Sequence, residues 1–138
     1  MTPAYPKPTA TKKKKLKKLP TLGKIKKEIE TLVKTKAKER DKYICQKCGK
    51  KVEGSNAHGS HVIPVSHGDA LRFDLMNIKC LCYHCHLNWW HKNPLEAQEW
   101  FKEKFPDRFA YLMIHKNDVV KRKRDELMEL LEKYKTKN

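Results

Sequence analysis

Cys45-Gln-Lys-Cys48 and Cys82-Tyr-His-Cys85-His86 bracket the stretch that decides the fold, with His58, His61 and Asn77 between them and His91 shortly after. Two cysteines separated by two residues can reach one zinc ion from a single turn, and two such pairs complete a tetrahedral site. Cys45, Cys48, Cys82 and Cys85 are therefore expected to hold a structural zinc. Four reduced core cysteines would not need the two-residue spacing twice. Gly49 follows the first pair and permits the tight turn that brings backbone amides to the thiolates. A plain zinc ribbon has a spacer of roughly 15–20 residues, whereas 33 residues separate Cys48 from Cys82. Something is inserted, and the insert carries the other unusual residues.

Working outward, the sequence predicts short strands around a turn between Ile44 and Ile63, a strand over Ile78–Leu81, and a helix over Tyr83–His91. Pro64 keeps Val62–Val65 from being a central strand. The expected fold is α+β, with a strand, strand and helix stapled by zinc and flanked by helices on both sides. Upstream, Leu22, Ile25, Ile29, Leu32, Val33 and Ala37 recur at helical spacing, with Thr21 as N-cap. Downstream, Asn93-Pro94 opens a helix with Ala97, Trp100, Phe101 and Phe105 on one face, and Pro106 opens another with Phe109, Leu112 and Met113 inward. A last helix is expected from Asp118 to Tyr134, burying Val120, Leu127, Leu130 and Leu131. The organisation is thus a basic tail (1–20), an N-terminal helix (21–43), a zinc-bound core (44–93) and a helical extension (94–138). Cys80, the odd cysteine, is expected to pack as a small hydrophobe.

The 138 residues carry 32 Lys+Arg against 16 Asp+Glu, an excess that solubility alone does not call for. Such a surface suits a polyanion, because Lys and Arg release counterions from a phosphate backbone. The charge is concentrated: up to Arg40 there are 14 basic and 3 acidic residues. Lys12, Lys13, Lys14, Lys15, Lys17 and Lys18 form a block with no apolar period, as expected of an arm that holds nucleic acid. Lys121, Arg122, Lys123 and Arg124 form a second basic run, and Arg72 is a candidate phosphate clamp. No apolar run approaches the roughly 20 residues of a membrane span, and the N-terminus lacks the apolar stretch of a signal peptide. Paired cysteines in such a chain read as metal ligands rather than disulfides.

Hydrolysis of a phosphodiester needs a base for water, a cation on the scissile phosphate and stabilisation of the leaving oxygen. His61, at a predicted strand in Gly59-Ser60-His61-Val62, is the best base, since a neutral imidazole accepts a proton near pH 7. Asn77 cannot be a base, but its amide can tie the loop to the hairpin and orient His61. His86 is held by the adjacent zinc cysteine and is the first choice of ligand for a catalytic Mg²⁺ or Mn²⁺. The second ligand stays open: His58 has a good donor, Ser60 a poor one, and His91 lies five residues past His86, about 500° around an α-helix.

His58-Gly-Ser-His61, Leu71-Arg-Phe-Asp74, Asn77 and Cys82-Tyr-His-Cys85-His86 together resemble the HNH (ββα-metal) endonucleases, and within them the phage recombination proteins of the NinG (Rap) type. Lys38-Glu-Arg-Asp-Lys-Tyr43 before the first pair also fits that family, and the resemblance covers about residues 34–94. It implies a base at His61, a loop-fixing asparagine at Asn77 and a catalytic-metal ligand at His86. Where related junction-resolving nucleases carry aspartate before the base, this chain has Ser60. The resemblance further implies DNA as partner, branched or duplex, in phage-type recombination in the cytoplasm of a bacterial or phage-infected cell. Symmetric junction cutting would call for a homodimer, which the C-terminal helices could provide. Two rival readings fit the charge and the cysteines: a non-catalytic zinc module binding DNA or RNA, and a ribosome-associated RNA binder. Neither gives His58, His61, Asn77 and His86 a reason to share one insert.

Overall fold

A computed structural model describes residues 19–136, so the expected tail contacts at Lys12–Lys18 lie outside the described residues. The first element, α1 (Leu22–Arg40), starts at Thr21, whose hydroxyl accepts the Lys24 amide at 3.1 Å. Ile25, Ile29, Val33 and Ala37, four residues apart, form its buried stripe. The chain leaves α1 through two consecutive left-handed residues, Lys42 and Tyr43, at φ 57° and 54°. That turn is costly for residues bearing a Cβ, and Asp41 braces it by accepting the Cys80 amide at 2.9 Å.

The sheet has two antiparallel strands, β1 (Ala57–His61) and β2 (Ile78–Cys82), in a register that sets Ser60 opposite Lys79 and His61 opposite Ile78. The segment from Ile44, expected to hold several strands, forms only an isolated bridge between Ile44 and Lys51 before β1. The knuckle's amides go to sulfur, to turn carbonyls and, from Gln46, to the Cys80 carbonyl of β2 at 2.9 Å, so its two arms pair at a single bridge. All five residues of β2 are buried, because α1 covers one face of the hairpin and the segment after Cys82 covers the other. Ile78 joins the α1 core with Phe73, Leu127 and Leu131, whereas Cys80 and Leu81 join a second core with Trp90, Phe101 and Leu112.

Within the second cysteine pair the chain turns into a π-helix, His84–Trp90, which carries Cys85 and is closed by the His91 amide on the His86 carbonyl at 3.1 Å. Helices α2 (Pro94–Lys104) and α3 (Pro106–His115) each begin on a proline, which suits the first helical position. The last helix, α4 (Arg124–Thr136), begins six residues later than expected. Residues 118–123 are irregular, Val119 is exposed, and Glu126 accepts the Lys123 amide at 2.7 Å, fixing the start there. Leu127 and Leu131 dock α4 onto α1. The described residues are therefore a small α+β fold of the zinc-stapled ββα kind, with α1 and α4 sharing one core and α2 and α3 packed into the other. Among them no helix is long and apolar enough to cross a membrane.

Candidate active site

The thiols of Cys45, Cys48, Cys82 and Cys85 all lie within 4.8 Å of one another, and Cys48 Sγ is 3.9 Å from Cys82 Sγ. Ligands of a tetrahedral zinc at Zn–S ~2.3 Å stand about 3.8 Å apart, so the spacing fits. The amide of Cys48 points at Cys45 Sγ (3.5 Å) and that of Cys85 at Cys82 Sγ (3.4 Å). Burial opposes ionisation of Cys45, but backbone amides, Cys48 and Cys82 first among them, bring its thiol down to about 7. Burial, reinforced by the neighbouring thiols, pushes Cys85 the other way. Four sulfurs this close cannot all ionise without a cation between them, which is the environment a dication resolves. Burial alone is the leading cause that lifts Cys80 to about 11, and this thiol packs in the core as a hydrophobe.

His61 stands at the end of β1 in a cleft of about 420 Å³ whose walls include Lys34, His86, Trp90 and His91. Its Nε2 lies 3.0 Å from the Arg72 carbonyl oxygen. A carbonyl only accepts, so Nε2 carries the proton and Nδ1 keeps a lone pair. Burial holds the His61 pKa below its usual value against the pull of that carbonyl, so the ring is neutral at pH 7. The loop that carries Arg72 is held one residue away, at Leu71, by Asn77, which is fully buried. Its Oδ1 accepts the Ile63 amide at 2.7 Å, and its Nδ2 donates to the carbonyls of Ile63 (3.0 Å) and Leu71 (3.1 Å). One amide thus binds both arms of the loop that carries the partner of His61.

His86 is flanked by two imidazoles: its Nδ1 is 2.8 Å from His58 Nδ1, and its Nε2 is 3.1 Å from His91 Nε2. The protons follow from the far end. His58 Nε2 faces the Ser55 carbonyl at 3.0 Å and must donate, so His58 Nδ1 accepts from His86 Nδ1–H. His86 Nε2 is left with its lone pair, turned toward His91 beside the cleft. Burial first, then the neighbouring His91 and His58, holds His86 down to about 3. The π-helix brings His91 here: its bonds run from i to i+5, so residues five apart stack, where an α-helix would splay them. Among the described residues the four cysteines are the one group of three or more ligating side chains that converge on a point.

Two expectations need correction. Arg72 is no free phosphate clamp: its guanidinium binds Glu30 at 3.0 Å and approaches Asp69 at 3.7 Å, which pins the loop to α1. In the basic run, Arg122 is half-buried and donates to the Asp69 carbonyl (3.1 Å), while Lys121, Lys123 and Arg124 are exposed, Arg124 also donating to the Pro20 carbonyl (2.8 Å). Two features went unread in the sequence. Lys79 is fully buried, with Nζ 2.9 Å from Ser60 Oγ and 3.3 Å above the Trp90 ring, and burial drives its pKa well below the usual value. Lys34, on α1, lines the cleft from outside the motif, and Glu30, one turn earlier, pairs with its ammonium at 3.3 Å.

Residues 45–89 match the family model of the HNH endonuclease. The HNH match takes in the four cysteines, His58, His61, Asn77 and His86, and it stops before His91. It supports an HNH nuclease with a zinc-binding site in this segment, and DNA as the partner on which such nucleases act. It spans 45 of the 138 residues, so α1 and the C-terminal helices lie outside it. Comparison with curated proteins and with solved structures gave no match.

Proposed function

We propose that the chain is a metal-dependent endodeoxyribonuclease in which His61 Nδ1 takes the proton of the attacking water. The observation that carries this reading is the His61–Arg72 hydrogen bond, which leaves a neutral ring with its free lone pair in the cleft that His86 and His91 also line. A base at near-neutral pH needs both features.

The residues fit a catalytic ion through His86 and His91, whose Nε2 atoms stand at 3.1 Å, about the spacing of two neighbouring ligands at ~2.1 Å from one ion. A divalent cation bound there would neutralise charge on the scissile phosphate and on the leaving 3′ oxygen. His58 then acts on His86 rather than beside it, accepting the Nδ1 proton and fixing the ring, the usual part of a group behind a ligating histidine. This donor set is imidazole, and no carboxylate lines the cleft. Imidazole favours Mn²⁺ and later transition ions over Mg²⁺, which prefers oxygen. Hydrolysis would leave a 5′ phosphate and a 3′ hydroxyl.

The resemblance to NinG (Rap) proteins extends the proposal to branched DNA cut during phage-type recombination, by a homodimer where the junction is symmetric. A cleavage panel of four-way junctions, flaps and plain duplexes, each with Mn²⁺, Mg²⁺ or EDTA, tests both levels. Metal-dependent nicking that His61→Ala abolishes supports the nuclease, and preference for junctions supports the finer reading. Binding without any nicking would return the chain to a zinc-stapled nucleic-acid-binding module.

A further inference from the structure

The matched segment builds the base and the histidine cluster, but one wall of the cleft belongs to α1. At Gly59 the two meet so closely that an added Cβ would lie 2.8 Å from both Cβ and Cγ of Lys34. The stem of Lys34 therefore rests against the β1 backbone, and the residue lines the same cleft as His61 and His86. Glu30, one turn earlier, receives the Lys34 ammonium at 3.3 Å and the Arg72 guanidinium at 3.0 Å. With Asp69 also shared between Arg72 (3.7 Å) and Lys26 (2.7 Å), three cations face two carboxylates, which leaves one net positive charge in this network. The Lys34 side chain keeps about a third of its surface exposed (35%), so it has room to meet a ligand.

We propose that Lys34 is a phosphate-binding residue of the active site, contacting a backbone phosphate of the DNA beside the scissile bond, with Glu30 as its positioning residue. The inference rests on the nuclease reading above. No carboxylate lines the cleft to repel a phosphodiester, and the only side chains there that can carry charge are Lys34 and the three imidazoles. Glu30 also ties Lys34 to the chemistry: through Arg72 it holds the residue whose carbonyl accepts the hydrogen bond from His61 Nε2. A surface ion pair between residues four apart on a helix would do neither.

The test separates contact from cleavage. Duplex affinity is measured as a function of salt on a His61→Ala background, which binds without turnover, with Lys34→Met, Lys34→Arg and a Lys36→Met control added in turn. Methionine keeps the stem that packs on Gly59 and removes the ammonium; Lys36 does not line the cleft. Each phosphate contact adds about 0.9 to the slope of log K against log salt. Lys34→Met is expected to lose about that much slope with its melting temperature unchanged, Lys34→Arg to keep it, and Lys36→Met to lose clearly less. On the unmutated background Lys34→Met should lower kcat/KM for nicking by about 10-fold or more, as loss of a charged transition-state contact does. An unchanged slope for Lys34→Met, or an equal loss for Lys36→Met, overturns the proposal even where the parent chain nicks DNA normally. If the parent nicks nothing yet the slope falls only at Lys34, the nuclease reading fails while the phosphate contact stands.

Discussion

Asn77→Ala is the sharpest single perturbation of the site, because one buried amide makes three hydrogen bonds across the loop. Each is worth about 1 kcal/mol net, and alanine leaves the Ile63 amide and the Ile63 and Leu71 carbonyls without that partner, so the loss is about 3 kcal/mol. For a domain of this size 1 kcal/mol moves the melting temperature by roughly 3 °C, which puts the expected drop near 10 °C, measured by circular dichroism at fixed zinc. Asn77→Asp is nearly isosteric and is expected to be no better: its oxygen can still accept from the Ile63 amide, but the two donors become acceptors facing carbonyls. Nicking measured well below the lower midpoint should fall by about 10-fold or more, since the Arg72 carbonyl that sets the His61 proton sits in the loosened loop. DNA affinity should stay within about 2-fold, because Asn77 is fully buried and Lys34 is untouched. A drop under about 3 °C with normal nicking would refute the reasoning. It would mean that backbone bonds such as Val62 N to Asn77 O (2.8 Å) hold the loop by themselves.

His61→Ala should lower the nicking rate by about 10²–10⁴. In the parent the rate should rise with pH to a plateau whose midpoint lies below 6.5: only the neutral ring accepts a proton, and burial depresses its pKa. A midpoint above 7 would exclude His61 as the base. His91→Ala should raise the Mn²⁺ concentration needed for half-maximal nicking more than His58→Ala does, since His91 faces the cleft with His86 and His58 lies behind it; the reverse order in a metal titration would exchange their roles. Lys79→Met should be more stable than the parent at pH 7, and the gap should narrow toward pH 10. Burial depresses the folded-state pKa of Lys79 below its unfolded 10.5, so its stabilising share is complete above that pH and is lost as pH falls. A gap that stays constant from pH 7 to 10 in chemical denaturation would show that Lys79 is not proton-linked to folding.

The parts of this site that sequence reveals are those where spacing alone does the chemistry. Two residues between cysteines suffice to aim both at one ion, and a four-residue apolar stripe from Ile25 to Ala37 suffices to bury one face of α1. His91 reads in the sequence only as an alternative ligand, because five residues is a poor repeat at 3.6 per turn and a good one for i to i+5 bonding. The partner of Arg72 is not legible, because a charge in a loop carries no mark of what it binds, and Glu30 lies 42 residues upstream. Lys79 reads as the polar position of an alternating strand, a rule that fails where both faces of β2 are covered. Lys34 is the instructive case. A lysine four residues after a glutamate on a basic helix has the pattern of any solvent-facing pair, and no periodicity separates it from Lys24 or Lys27. The residue that singles it out is Gly59, 25 positions later in a strand, at a place where no turn requires glycine. Glycine inside a strand marks a close approach of other chain. What approaches here is the stem of Lys34, so the clue to the cleft's cation lay in a missing side chain on β1 and not on the helix that bears it.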